Sequence, residues 1–152
     1  MKIQIDNLES IEVKQLLQAH HDDMLKHSPP ESVHALNLSS LKAPNVTFLT
    51  AWIDGKLAGC GAFKRLSDKH VELKSMRTSS SFLRKGVAAK LLTYMLATAK
   101  EQRFERVSLE TGTMNVFIPA HKLYKSFGFQ ECEPFSNYQN DPFSVFLTKV
   151  IE

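Results

Sequence analysis

Leu83-Arg84-Lys85-Gly86-Val87-Ala88 sets one glycine and two cations between a strand-like run ending near Thr78 and an amphipathic helix reaching about Arg103. That combination suits a phosphorylated ligand. The first turn of a helix has backbone N–H groups with no intrahelical acceptor and carries the positive end of the helix dipole. Gly86 lets the main chain approach a diphosphate with no Cβ in the way. Arg84 and Lys85 can add charge-assisted contacts to phosphate oxygens. Two other phosphate loops do not fit. A Walker A loop ends Gly-Lys-Ser/Thr, whereas Lys85 precedes Gly86; a dinucleotide fingerprint takes three glycines, and this segment has one. On these residues alone, an ordinary helix start with solvated cations stays open.

His20-His21-Asp22-Asp23, with His27 beyond, invites a metal reading. Adjacent histidines on a helix point apart, and His20 shares a face with Asp23 or Met24 instead. No His-Glu-x-x-His or Cys/His framework accompanies them, so no metal is expected. Cys60 and Cys132 have neither redox nor metal spacing and read as small apolar fillers.

Farther along, Ala120-His121-Lys122-Leu123-Tyr124-Lys125-Ser126-Phe127-Gly128-Phe129 reads as a short helix closed by a C′ glycine and followed at once by a strand. With this second segment the chain resembles the GNAT superfamily of acetyl-CoA-dependent N-acetyltransferases. Those proteins carry a Gln/Arg-x-x-Gly-x-Gly/Ala loop after their fourth strand and, later, an Ala-x-x-Leu-Tyr-x-x-x-Gly-Phe segment. Leu83 to Ala88 is similar to the first and Ala120 to Phe129 to the second, in the same order. The resemblance covers almost the whole chain. Leu83 departs from the pattern, since its side chain cannot hydrogen-bond and only its amide can contribute. Phe117 stands where the family often has an asparagine, and Asn115, two residues earlier, is the candidate to replace it.

The resemblance implies a fold and a set of roles. The fold is a mixed α/β one: a mostly antiparallel central sheet of six to seven strands, flanked by about four helices and splayed between strands four and five. Acetyl-CoA is the implied co-substrate, with Leu83, Arg84, Lys85, Gly86, Val87 and Ala88 at its phosphates. Its pantetheine arm is expected along Met76, Arg77 and Thr78, bonded mostly to main chain, and the Met76 N–H is the implied oxyanion donor. Tyr124 matches the family's tyrosine near the sulfur, where a phenol can donate a proton to the departing thiolate; packing of its helix on the sheet is the bland alternative. Glu72, fourteen positions before Gly86, matches a basic glutamate of histone-acetylating relatives. Period-two alternation places it on one face with Lys74, Met76 and Thr78. A surface ion pair with Lys74 or His70 is the competing reading. Glu110 ends the fifth strand at the splay, where it is placed to contact the acceptor or serve as a second candidate base; a helix or loop cap is the bland alternative.

The elements that hold these residues follow from the apolar pattern. Lys2 to Ile5 is a strand and Glu9 to about Lys26 a helix with Val13, Leu16, Leu17, His20 and Met24 at helical spacing. A short second helix is expected over Val33 to Leu41. Val46 to Ile53 and Lys56 to Leu66 form a hairpin turning at Asp54-Gly55. Gly59 and Gly61 permit close packing there. Lys69 to Thr78 is the strand feeding the phosphate loop, and Val87, Leu91, Met95 and Ala99 are the buried stripe of the helix that follows. Arg106 to Glu110, a helix over Pro119 to Phe127, and strands over Phe129 to Glu133 and Phe143 to Val150 complete the chain. The turn-rich stretch Pro134 to Pro142 is expected as the far wall of the acceptor pocket, with Tyr138 and Ser144 as contacts, or as a surface loop. His34 and His121 can reach the cleft, but the reading preferred for each is a solvated or capping side chain.

At 152 residues, 43% hydrophobic and 23% charged, the expectation is one domain of ordinary globular composition, residues 1–152. The net charge of +3 suits an anionic cofactor and falls short of a nucleic-acid footprint. No apolar run is long enough to span a membrane and no signal-peptide core follows Met1, so a cytoplasmic enzyme is expected. The expected activity is direct transfer of acetyl from acetyl-CoA to a primary amine of a small molecule or amino-acid-like acceptor. A protein amine, a non-catalytic acyl-CoA-binding module and a homodimer remain open.

Overall fold

A computed structural model describes residues 1–33 and 37–152 of the chain. In order they form β1 (Lys2–Ile5), α1 (Ile11–His27), α2 (Leu38–Leu41), β2 (Val46–Ile53), β3 (Lys56–Arg65), β4 (His70–Thr78), α3 (Val87–Glu101), β5 (Arg106–Gly112), α4 (Ile118–Ser126), β6 (Gln130–Glu131) and β7 (Ser144–Val150). Short 3-10 turns at Pro30–Ser32, Ser80–Phe82 and Asn115–Phe117 connect them. The expected second helix is present as Leu38–Leu41, while His34 lies outside the described residues.

Helix starts and turns are set by local chemistry. Helix α1 begins two residues later than the expected Glu9, capped by Ser10: its hydroxyl accepts the Val13 amide at 3.2 Å, a contact worth about 1 kcal/mol. Asp54 and Gly55 both have positive φ, 51° and 76°, as the tight β2–β3 hairpin requires.

The seven strands order as β1-β2-β3-β4-β5-β7-β6. All neighbours are antiparallel except β4 and β5. One face packs on α3 and α4 through Leu49, Phe63, Leu73, Leu92, Met95, Leu109, Tyr124 and Phe129. The other carries α1 and α2 on Val13, Leu41, Phe48, Cys60 and Ala62. Val87, Leu91, Leu92, Met95 and Ala99 of α3 are fully buried, and each larger one contributes roughly 1.5–3 kcal/mol by leaving water.

Two departures from regular pairing shape the middle of the sheet. The β4–β5 ladder runs only from His70↔Arg106 to Leu73↔Leu109. Beyond it β4 stays with β3 as far as Thr78↔Gly59, and β5 stays with β7 as far as Gly112↔Ser144, so the sheet opens into a slot. The second departure is a β-bulge in β4. Ala62 pairs with Lys74 and Cys60 with Arg77, so Ser75 and Met76 together stand opposite Gly61. Ser75 takes φ 56°, and Cys60 donates its thiol to the Ser75 carbonyl at 3.3 Å. This overturns the simple alternation expected for the strand. Glu72 and Lys74 share the α1 face, but the extra residue returns Arg77 to that face and sends Met76 and Thr78 to the α3 face. A Cβ on Gly61 would lie 2.5 Å from the Met76 sulfur, so the glycine is what lets Met76 fold over β3.

Candidate active site

The phosphate segment is a helix entrance stripped of protein partners. Gly86 is the N-cap of α3, in the left-handed region at φ 79°, and supplies no side chain to cap it. The first intrahelical bond is Lys90 N–H to the Gly86 carbonyl at 3.1 Å, which leaves the amides of Val87, Ala88 and Ala89 facing outward. No atom lies within 4 Å of where a Gly86 Cβ would stand, so nothing fills the approach. Arg84 is also left-handed, at φ 62°, and Arg84 and Lys85 are exposed. Lys85 Nζ stands 5.4 Å over the Phe82 ring. Outward-facing amides, an open approach and two cations with no ion pair among the described residues make an entrance of the kind that takes a phosphate group.

The slot holds a cavity of about 120 Å³. Glu72, Lys74, Ser75 and Met76 of β4, Glu110 and Thr111 of β5, His20 of α1, and Phe117 and Tyr124 beside α4 all line it. The slot thus joins the two faces of the sheet: Glu110 and His20 reach it from the α1 side, Tyr124 from the α4 side. Gly112 makes room for the wall, since a Cβ there would sit 2.2 Å from the Phe117 ring.

Glu110 is the first β5 residue past the end of the β4 ladder. Burial pushes its carboxyl up to about 7, against a hydrogen bond from Ser144 Oγ at 2.8 Å and the charge of Lys74, both of which favour the anion. A carboxylate balanced at neutral pH, in a cavity, is the profile of a general base. Tyr124 is 7% exposed and packs edge-on to Phe129 at 5.6 Å. Burial alone pushes its phenol upward, so it holds its proton. His20 is driven down to about 4 by burial and then by the charge of Arg77, so it stays neutral and does not repel a cationic amine. Its Nδ1 and the Ser75 Oγ are buried with no protein partner among the described residues.

Glu72 is occupied differently. It is 2% exposed, and its Oε2 takes Lys74 Nζ at 3.2 Å and the Tyr138 hydroxyl at 2.5 Å. Lys74 also donates to the Tyr138 oxygen at 2.7 Å. A closed triangle of ion pair and phenol therefore ends the loop between β6 and β7. Phe135 and Tyr138 anchor that loop against Phe146 at 5.9 and 5.5 Å. Outside the triangle lies a pocket of about 490 Å³, lined by Glu31, Lys64, Glu72, Lys74 and residues 136–141. Residues 136–141 of the turn-rich stretch line this pocket; Ser144 lies outside its lining, its hydroxyl on Glu110.

The expected site residues fall into three places. Glu72, Glu110, Met76 and Tyr124 meet at the slot. Leu83, Arg84, Lys85, Gly86, Val87 and Ala88 form the helix entrance, and Thr78 ends the strand leading to it. The Arg77 side chain turns away from both, to Asp23 of α1 at 2.5 Å. Asn115 is exposed in its 3-10 turn while Phe117 lines the cavity. His121 Nε2 lies 2.7 Å from the Gly112 carbonyl, tying α4 to the end of β5 rather than capping a helix. Lys64 and the Lys74–Tyr138 contact had no sequence signal, because each depends on cross-strand register and on where a long loop lands.

A family model described as Acetyltransferase (GNAT) family matches residues 12–129. The chain belongs to the GNAT acetyltransferase family. Among its GNAT relatives is the protein described as uncharacterized N-acetyltransferase YsnE of Bacillus subtilis (strain 168), 54% identical over 149 residues, 98% of this chain and 99% of that one. The uncharacterized N-acetyltransferase YedL of Escherichia coli (strain K12) is 48% identical over 146 residues, 96% and 92%. A solved Bacillus subtilis acetyltransferase in complex with CoA shares the GNAT fold at TM-score 0.71 and 19% identity, covering 99% of each chain. This GNAT member is accordingly an acetyl-CoA-dependent N-acetyltransferase. No described helix is long and apolar enough to cross a membrane.

Proposed function

We propose that the chain moves acetyl directly to the primary amine of a small molecule while both substrates are bound, with Glu110 as base and Tyr124 as the donor facing the sulfur. The observation that supports this is the placement of those two side chains on opposite sides of one slot. Acetyl-CoA supplies an activated acetyl thioester. The α3 entrance binds its diphosphate, and the β4 edge beyond Leu73, left without a strand partner on the slot side, offers main-chain groups to the arm. The bulge leaves Met76 without a register partner on β3; its N–H is the donor assigned to the acetyl oxygen. Glu110 takes the ammonium proton in its ionised form, which predominates above about pH 7. The Tyr124 phenol meets the negative charge developing on the sulfur.

Glu72 is assigned to positioning. Its oxygen already accepts from Lys74 and Tyr138, so taking a proton there would cost the ion pair. Direct transfer is also supported by the cysteines. Cys60 is fully buried with its thiol pushed up to about 12, and neither Cys60 nor Cys132 lines the slot. Two-substrate initial rates, read by thiol release, test the reading. Intersecting reciprocal plots are expected; parallel plots, or thioester binding with no amine-dependent thiol release, would refute it.

A further inference from the structure

We infer that the acceptor carries a carboxylate beside its reactive amine and that Lys64 binds this carboxylate. The inference rests on the transfer reaction proposed above and names its substrate class. Lys64 pairs in register with Glu72, and Glu72 with Ser108. Lys64 and Glu72 are cross-strand neighbours on the α1 face, so Lys64 lies beside the triangle that borders the slot. Its half-buried side chain lines the 490 Å³ pocket and forms no ion pair among the described residues. Lys74, the other cation of the pocket, is committed to Glu72 and Tyr138. Lys64 is therefore the uncommitted positive charge on the described wall.

The rest of the pocket fits the remainder of such a molecule. Ser136, Asn137, Gln139 and Asn140 offer hydroxyl and amide groups to its polar body. An apolar amine would desolvate these groups without replacing their hydrogen bonds. An acceptor bearing only an ammonium would meet Lys64 as an opposing charge. Glu72 and Lys74 line both the slot and this pocket, so a zwitterion reaching from one into the other satisfies both signs: amine toward Glu110, carboxylate toward Lys64.

Steady-state thiol release from the full chain, with amino acids compared against their carboxamides and decarboxylated amines, tests this. The amino acids are expected to be better in kcat/KM by about 10- to 100-fold, the value of one charged hydrogen bond. Lys64→Met should remove that advantage through KM with kcat little changed, and Lys64→Arg should restore most of it. Turnover confined to carboxyl-free amines, or an equal loss for both classes in Lys64→Met, overturns the inference while leaving the transfer reaction standing. Acetyl-CoA binding with thiol release to no amine of either class would sink the transfer reading and this inference with it.

Discussion

Replacing Glu110 by Gln should make the protein more stable and the enzyme worse, with the stability gain appearing only above a defined pH. Burial moves this carboxyl from its ordinary 4.5 to about 7, a difference worth about 3 kcal/mol. Below pH 4.5 the group is protonated in both folded and unfolded chains, and its burial adds no pH-dependent cost. Between 4.5 and about 7 the unfolded chain releases the proton that the folded chain keeps, so stability falls as pH rises. Above 7 the whole penalty is present. Glutamine has the same shape, keeps an oxygen for the Ser144 hydroxyl and never ionises. At pH 8 the variant should therefore melt higher by up to roughly 6–12 °C, from about 2–4 °C per kcal/mol in a chain of this size. At pH 4 the two proteins should melt together. Activity should move the other way: kcat/KM falls about 10²- to 10⁴-fold. The wild-type rise in rate through pH 7 disappears, while a later rise from the amine's own deprotonation survives. Calorimetric melts across pH 4 to 8, paired with thiol-release rates, measure both. A melting difference that does not change with pH, or activity within about tenfold of wild type, would refute the reasoning.

Other changes separate the remaining roles. Gly86→Glu places a carboxylate and a strained left-handed backbone at the α3 entrance, and acetyl-CoA binding by calorimetry should be lost while the fold is retained. Tyr124→Phe should lower kcat more than acetyl-CoA affinity; since no protein group bonds its hydroxyl among the described residues, stability should change by less than about 1 kcal/mol, and equal losses in rate and affinity would instead mark a packing role. Tyr138→Phe removes the phenol that both Glu72 and Lys74 use, and leaving a buried ion pair short of a hydrogen bond should cost about 1–3 kcal/mol, read as a lower denaturation midpoint.

The helix entrance and the strand order of elements were legible because each depends on neighbours in the chain. A glycine before an amphipathic run, or Asp54-Gly55 between apolar strands, carries its own physical reason. Glu110 was legible as a position at a strand end, but not its near-neutral balance, which comes from burial contributed by other elements. The direction of Met76 was misread, since one extra residue at Ser75 reverses alternation and serine gives no warning of a left-handed φ. Gly61 is the visible half of that feature, yet its purpose, seating Met76, appears only when the strands are paired. For Glu72 the sequence leaves a base and an ion pair with Lys74 or His70 equally open; the pair with Lys74 is present, and the bond from Tyr138, sixty-six residues away, depends on where a long loop lands.

The bulge at Ser75 has a consequence for how this enzyme can diversify. Upstream of it, β4 side chains Glu72 and Lys74 lie on the α1 face; downstream, Met76 turns to the α3 layer. On the proposed reading, substitutions at Lys64, Glu72 or Lys74 retune which amine is accepted without disturbing the grip on the donor. Deleting a single residue there would fuse the two registers, and a lineage that lost it would have to reinvent both halves at once.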